Sequence, residues 1–486
     1  MKDTRPPQLI QLLNNVEQLF WYVSEQGELA RKNLDREKPI ADTDETERKV
    51  HEELLAMGRL LMKRYFEQVG LGDLGYRVKV GDVEYHRGHR EREVEILTVF
   101  GEVLYTLSVY YCGDGKSMRP FEAMANLPER KSTYFAQELM AWLGIEQTYD
   151  RSQSFYEQFF KHSLSPRTIR ETVVEMSEHD SEYQVEKRLP DKDSEGTIGV
   201  VSFDGKGIKV MPKERTTGKT REALLGCIYT VGEQERDPEN LAKALVMPEL
   251  LNEEESQGLT RNERADQIRY FGSVAEPKET VFNDVEEASA ERFEAAGIDT
   301  VVCLMDGAHT LWRQAKEHFP DAIYILDVIH VLDYLWDAAR ILEKGKKKRK
   351  KLVLEWLTKI FQGNVGFVVR GINVRLAKNK FSKKRRETLK SVVTYFNNHR
   401  DYMHYDLYLS SGLPIATGVI ESACGHLIQD RMDKSGAQWA ITGAEAVLKL
   451  RCIRGSNDWH FYQDLRKQKE RNKLYSGIIN LLELAA

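Results

Sequence analysis

Two short β-branched runs separated by one helix's worth of chain constrain this sequence more than any other feature. Thr300-Val301-Val302-Cys303-Leu304-Met305 stops at Asp306-Gly307, and Ala322-Ile323-Tyr324-Ile325-Leu326 stops at Asp327. From about His309 to His318 the spacing is helical, with Phe319-Pro320 as the terminator. Strand, helix and strand in that order predict a parallel pair joined by a right-handed crossover. Sites in such sheets lie beyond the carboxyl ends of strands, where Asp306 and Asp327 both fall.

Upstream, Ile198 to Phe203 reads as a buried strand, Asp204-Gly205-Lys206-Gly207 as a turn and Ile208 to Val210 as the returning strand. Leu224 to Val231 is a third candidate. An antiparallel meander followed by a β-α-β unit matches the ribonuclease H-like sheet, so the expected fold class is mixed α/β. Gly232 to Lys278 is polar and acidic and reads as an excursion, and Asp284 to Ala296 as a helix ended by Gly297. From Val331 to about Ser410 the chain is helical, with no strand to continue the sheet, which predicts an all-α insertion. After Ser410-Ser411-Gly412-Leu413-Pro414 a last helix starts near Gly418, carries Glu421, runs towards Arg431 and breaks near Gly436.

The first 70 residues read as helical. Val94 to Phe100 and Val103 to Tyr111 alternate with period two around Gly101-Glu102, a β-hairpin pattern. Helices are expected over Thr133 to Gly144 and Ser152 to His162. Ser165-Pro166 then places a capping serine before a proline at the first position of a third helix that carries Arg167 and Arg170. Helix, short turn and helix is either the outline of a helix-turn-helix DNA reader or an ordinary packing hairpin. Glu178 to Gly196 reads as a linker. The resulting division is an N-terminal α+β region over 1–127, a helix-turn-helix region with linker over 128–190, a catalytic domain over 191–332 and 412–455 interrupted by the insertion 333–411, and a tail over 456–486.

Composition bears on the partner. With 41% apolar and 30% charged residues over 486 positions, the chain has material for several cores, which argues against disorder. No run approaches the ~20 apolar residues that a bilayer requires. The opening Met1 to Pro7 lacks a signal peptide's apolar core, so a cytoplasmic protein is expected. Five cysteines without paired spacing supply neither a disulfide framework nor a zinc signature. Between Lys344 and Lys390 stand 17 Lys and Arg against Glu355 and Glu387, so this window carries +15 and the rest of a chain of net charge -5 carries -20. Lys346, Lys347, Lys348 and Arg349, and Lys383, Lys384, Arg385 and Arg386, form its two densest runs. They are either a path for a polyanion or a solvated helix surface.

Three acids stand out by context: Asp204, Asp306 and Glu421, each followed by a small residue, Gly205, Gly307 and Ser422. Small neighbours leave room for metal ions and a phosphodiester, and phosphoryl transfer by two Mg²⁺ ions needs a few convergent hard-oxygen ligands. Taken singly, an Asp-Gly pair more often marks a turn.

Together the segments Phe203-Asp204-Gly205-Lys206-Gly207, Met305-Asp306-Gly307-Ala308 with Leu311-Trp312, Asp327-Val328-Ile329-His330 and the run from Pro414 to Trp439 resemble the bacterial insertion-sequence transposases of the ISKra type, relatives of the mutator-like DDE group. The resemblance covers about Ile198 to Arg454 well and the N-terminal third loosely. It implies a ribonuclease H-like catalytic domain, with Asp204, Asp306 and Glu421 as the metal-binding triad for two Mg²⁺, or Mn²⁺ in their place. It implies also that Asp327 and His330 match the group's C/D-x-x-H motif, with His330 positioning scissile DNA or supporting a carboxylate. Arg431 and Trp439 either touch DNA near the site or form a salt bridge and a core aromatic. Relatives often carry further cysteines after the N-terminal β-ribbon, whereas this chain has only Cys112 there, which argues against structural zinc. The implied activity is cleavage at terminal inverted repeats and strand transfer to target double-stranded DNA, with a homodimer pairing two ends. Two other readings are a catalytically silent DNA-binding regulator and a nuclease that cuts without joining.

Overall fold

The computed structural model describes residues 7–32, 42–215, 218–258 and 265–485. The chain divides into two compact units, Met1–Met176 with His460–Ala486, and Ser177–Trp459.

The first unit opens with two long helices, α1 (Pro7–Lys32) and α2 (Thr43–Val69), the second capped by the Asp42 side chain. Strands β1 (Arg77–Val80), β2 (Val83–Arg87), β3 (Arg92–Thr98), β4 (Gly101–Leu107), β5 (Tyr110–Tyr111) and β6 (Ser117–Met118) follow, then helix α3 (Pro120–Met124). β3 and β4 form the expected antiparallel hairpin, Thr98 opposite Gly101, while the other four strands make a small sheet that the sequence pattern did not reveal. The hairpin's inner face meets α2 and α3, where the Tyr105 and Phe121 rings stack at 4.7 Å. Helices α4 (Tyr134–Glu146), α5 (Tyr149–Phe160) and α6 (Pro166–Met176) then pack around Met140, Tyr156, Leu164 and Ile169. Pro166 begins α6 as expected, and Ser165 Oγ accepts the Thr168 N–H at 3.0 Å.

In the second unit, the segment expected as a linker is folded. It contains a short helix, α7 (Asp180–Glu186), and Glu195, whose carboxylate is buried against Arg292 at 2.7 Å. Its polarity misleads because two of its acids, Asp180 and Glu195, are buried and paired inside the fold. Strands β7 (Ile198–Lys209) and β8 (Thr220–Val231) are each 12 residues long and pair antiparallel from Ile198 opposite Val231 to Lys209 opposite Thr220. Asp204-Gly205-Lys206-Gly207 is therefore not a turn. It lies within β7, held extended because every residue from Asp204 to Gly207 has a partner on β8. After helices α8 (Pro238–Val246) and α9 (Glu253–Gly258) comes β9 (Asp266–Ser273), antiparallel to β8. This is the meander's third strand, placed by sequence inside a polar excursion. Its charge hides it: Arg269 is buried, held by the Arg188 carbonyl.

Helix α10 (Lys278–Ala296) ends at Gly297, whose φ of 72° is the left-handed cap expected of it. Strand β10 (Thr300–Met305), helix α11 (His309–His318) and strand β11 (Ile323–Leu326) form the parallel β-α-β unit. The sheet order β11-β10-β7-β8-β9 sets two parallel neighbours on one side of β7 and the antiparallel meander on the other. Five helices make the expected all-α stretch: α12 (Val328–Leu342), α13 (Lys346–Phe361), α14 (Val365–Lys378), α15 (Lys383–Asn398) and α16 (Tyr405–Ser410). The chain returns through α17 (Gly418–Ala423), a π-helical turn over Cys424–Gln429 and α18 (Asp430–Met432), then α19 (Ile441–Gly455). Two carbonyls of this wide turn, those of His426 and Leu427, accept from the Arg451 guanidinium of α19. The last helix, α20 (Trp459–Ala485), belongs from His460 onwards to the first unit, where Tyr475 Oη donates to Leu127 O.

Candidate functional site

The five-stranded sheet presents its acids at adjacent strands. Asp204 is half-buried in β7, and Asp306 follows the last residue of β10, the parallel neighbour of β7. Asp306 Oδ1 accepts the Ala308 N–H at 2.9 Å, and the Trp312 indole N–H donates to the Asp306 carbonyl, so the carboxylate is held from its own loop. Gly307 is required for packing: a Cβ there would meet Tyr395 Cε2 of α15 at 2.5 Å. His399 of the same stretch lies 3.2 Å from Gly307 O through Nε2. The helical stretch after β11 thus braces the Asp306 loop.

Asp327 is fully buried at the carboxyl end of β11 and caps α12, accepting the His330 N–H at 2.9 Å. Its Oδ2 also contacts His330 Nδ1 at 2.8 Å, and its Oδ1 accepts the Thr417 N–H at 2.8 Å. Thr417 Oγ1 in turn donates to Glu421 Oε1 at 2.9 Å, with His330 Nδ1 3.3 Å from the same oxygen. A chain of polar contacts therefore runs from the end of β11 to Glu421. Thr417 belongs to the site and does not stand out in the sequence. The one signal available is its position four residues before Glu421, which places the two on one helical face.

The electrostatics bind these groups together. Burial raises Asp306, and the charge of Asp204 adds to the rise. Burial likewise raises Glu421, opposed by the Thr417 hydroxyl and reinforced by Asp327 and Asp204. Asp327 is pushed up by burial, yet its bonds from His330 and the Thr417 N–H hold it below its ordinary value. The hydrogen bond that its Nδ1–H donates to Asp327 lifts His330 to about 9. The Cys424 thiol, one turn beyond Glu421, is held well up by burial and by the Asp204 carboxylate beside it. Asp204 thus faces the Glu421 helix.

Among the described residues, the ligand atoms of Asp327, His330 and Glu421 lie within 4.8 Å of one another, a grouping that Asp204 and Asp306 do not join. Ligands of two different ions do not need to meet that closely. With metal–oxygen bonds near 2 Å and ions 3.5 to 4 Å apart, the outer carboxylate oxygens of a two-ion site can stand up to roughly 8 Å apart. Burial and the charge of Asp204 raise both Asp306 and Glu421, and a divalent cation held by these carboxylates would relieve both effects.

The remaining expected residues are distributed as follows. Arg167 and Arg170 are exposed on α6, opposite the buried Ile169 and Val173, and Arg167 Nε is paired with Glu171 at 2.6 Å. Lys346, Lys347 and Lys348 are exposed in the first turn of α13, while Arg349 Nε is drawn back to the Glu343 carbonyl at 3.0 Å. Lys383, Lys384, Arg385 and Arg386 are exposed in the first turn of α15. Arg431 and Trp439 are both buried, the guanidinium stacked over the indole at 4.6 Å and the indole N–H donating to Met432 O at 3.0 Å. Of the two roles open to this pair, the geometry is that of the packed interior, because the aromatic face is covered by its own cation.

No protein-family model matches the chain. No curated protein matches it. Among solved structures it is similar to a Drosophila P element transposase strand transfer complex at 9% identity, covering 66% of this chain and 79% of that one, with a TM-score of 0.22. Agreement that low carries no argument about fold or activity. No helix among the described residues is long and apolar enough to cross a membrane.

Proposed function

We propose that the chain is a DNA transposase whose sheet is ribonuclease H-like and whose Asp204, Asp306 and Glu421 hold two divalent cations. One observation carries this reading. Acids stand at the first and fourth strands of a sheet ordered fifth, fourth, first, second, third, and the third acid returns on a helix after a long helical stretch. The ions would supply Lewis-acid stabilisation of the attacking and leaving oxygens of an in-line displacement on a phosphodiester. The chain's own groups prepare that geometry. The Ala308 N–H orients Asp306, Thr417 and His330 orient Glu421, and Asp327 fixes both Thr417 and the turn that carries His330. His330, its nitrogen already engaged by carboxylates, is a positioning residue in this scheme.

The basic runs supply the DNA path. Each occupies a helix first turn without a side-chain cap, where the helix dipole already favours an anion. Tyr395, which touches the Asp306 loop, lies 12 residues along α15 from Lys383, roughly 18 Å at 1.5 Å per residue. A duplex entering at the α15 terminus would reach the acids within about five base pairs at ~3.4 Å each. Arg167 and Arg170 on α6 would read the element's ends from the major groove.

The test is incubation with the DNA that flanks the gene, plus Mg²⁺, with nicks mapped at nucleotide resolution. Cleavage at the element's ends and joined products are expected. Cleavage without joining would reduce the activity to that of a nuclease, and end binding without any cleavage would leave a silent regulator.

A further inference from the structure

The helical hairpin at the start of the first unit carries two apolar rows where one is needed. Along α1 the partly buried positions Leu12, Leu19, Tyr22, Gln26 and Leu29 follow heptad spacing, and α1 packs against α2. A second heptad row, Leu9, Leu13, Val16, Phe20 and Val23, recurs at intervals of four and three residues on an adjacent face and is exposed throughout, with Phe20 64% exposed. On α2 the core side is taken by Leu55, Gly58 and Phe66, with Gly58 so close that a Cβ would meet the Phe100 ring at 2.4 Å. A further row there, Leu54, Leu61 and Tyr65, is exposed at intervals of seven and four.

The two exposed rows belong to one face. Ten residues separate α1 from α2, and Lys49 near the start of α2 lies within electrostatic reach of Tyr22 in the second half of α1, so the helices run antiparallel. At ~100° per residue both exposed rows then turn to the same side of the hairpin.

We propose that this face docks a second copy of the chain, making an antiparallel four-helix bundle. Period, area and charge each select that occupant. Heptad rows fit knobs from another helix of the same period, and a two-fold axis supplies one. The exposed parts of these eight side chains amount to roughly 700 Å² per copy, close to the ~800 Å² per partner of a standard stable interface. Charge sets the direction. The first half of α2 carries Asp44, Glu45, Glu47, Glu52 and Glu53 against Arg48 and Lys49, whereas its second half carries Arg59, Lys63 and Arg64 against Glu67. An antiparallel partner brings the acidic half of one copy to the basic half of the other, and a parallel partner opposes like to like. The proposal is independent of the activity proposed above, although two joined copies would hold two DNA ends.

Sedimentation equilibrium of the full chain at micromolar concentration tests it. The wild type is expected to be a dimer, and Phe20→Glu combined with Leu61→Glu a monomer with unchanged circular dichroism, its association weakened a hundredfold or more. A monomeric wild type, or a double variant that dimerises as the wild type does, overturns the proposal. If the double variant misfolds, the second arm decides. The five native cysteines are buried, so Val16→Cys at the row's centre introduces an exposed thiol. It should cross-link copy to copy under mild oxidation far faster than Asn14→Cys on the other side of α1, and equal rates would reject the face.

Discussion

The acids of the sheet and the cations of the helical stretch are built by opposite means. Asp306, Asp327 and Glu421 are part-buried or fully buried, and each is fixed by a hydrogen bond from a named neighbour: Ala308 N–H, Thr417 N–H or Thr417 Oγ1. Lys346 to Lys348 and Lys383 to Arg386 are exposed, and among the described residues they form no ion pair with one another's helices or the sheet. Their charges accumulate in helix first turns, where each costs about 0.3–1 kcal/mol against the dipole unless an anion is present. Fixed groups suit chemistry at one phosphorus atom, which tolerates little displacement. Loose cations suit a backbone of repeating phosphates, which needs charge and no fixed register.

That contrast can be broken at either side. The largest effect is expected at the triad. Asp204→Ala, Asp306→Ala and Glu421→Gln should each lower cleavage by roughly a thousandfold or more, about 4 kcal/mol in the barrier, with end binding in a gel-shift assay kept within a few-fold. A variant that still cleaves removes its residue from the triad.

Asp327→Ala comes next, because it strips a helix cap, the His330 partner and the Thr417 anchor at once. A loss of about 3–5 kcal/mol in unfolding free energy is expected by denaturant titration. A loss under 1 kcal/mol would mean that Asp327 is not the hub between β11 and Glu421.

Neutralising Lys383, Lys384, Arg385 and Arg386 to Gln should weaken specific and random duplexes alike. The log-affinity against log-salt slope should flatten by about 0.9 for each phosphate that is no longer neutralised, about 3.6 for the full cluster. An unmoved slope would return this helix terminus to the solvated surface. The smallest effect is Arg167→Ala or Arg170→Ala, ~1–3 kcal/mol on end DNA and little on random DNA if the residue reads a base. Equal losses on both substrates would class α6 with the basic runs, as a phosphate binder.

Much of this is legible along the chain. Ser165-Pro166 announces the start of α6, Gly297 the end of α10 and the two hydrophobic runs the parallel pair, because caps, breakers and strand length act over a few residues. Asp204-Gly205 reads as a turn and is not one, since a dipeptide's local preference carries no information about a partner strand twenty residues away. β9 is hidden for a related reason: its Arg269 is neutralised by distant groups, and polarity in sequence does not distinguish a solvated charge from a buried, satisfied one. Thr417 needs the fold as well, as its two partners stand 90 and four residues away.

The sequence by itself determined the kinds of group available and the periods at which they recur: acids beside small residues, cations in two runs, a period-two hairpin around Gly101. Only the tertiary structure decided which acids share a field, that Arg431 and Trp439 close on each other inside the core, and that the helical hairpin's second apolar row is left bare. Local propensities are set within a turn or two of chain. Burial, pairing and electrostatic coupling depend on residues that meet only after the backbone has returned on itself.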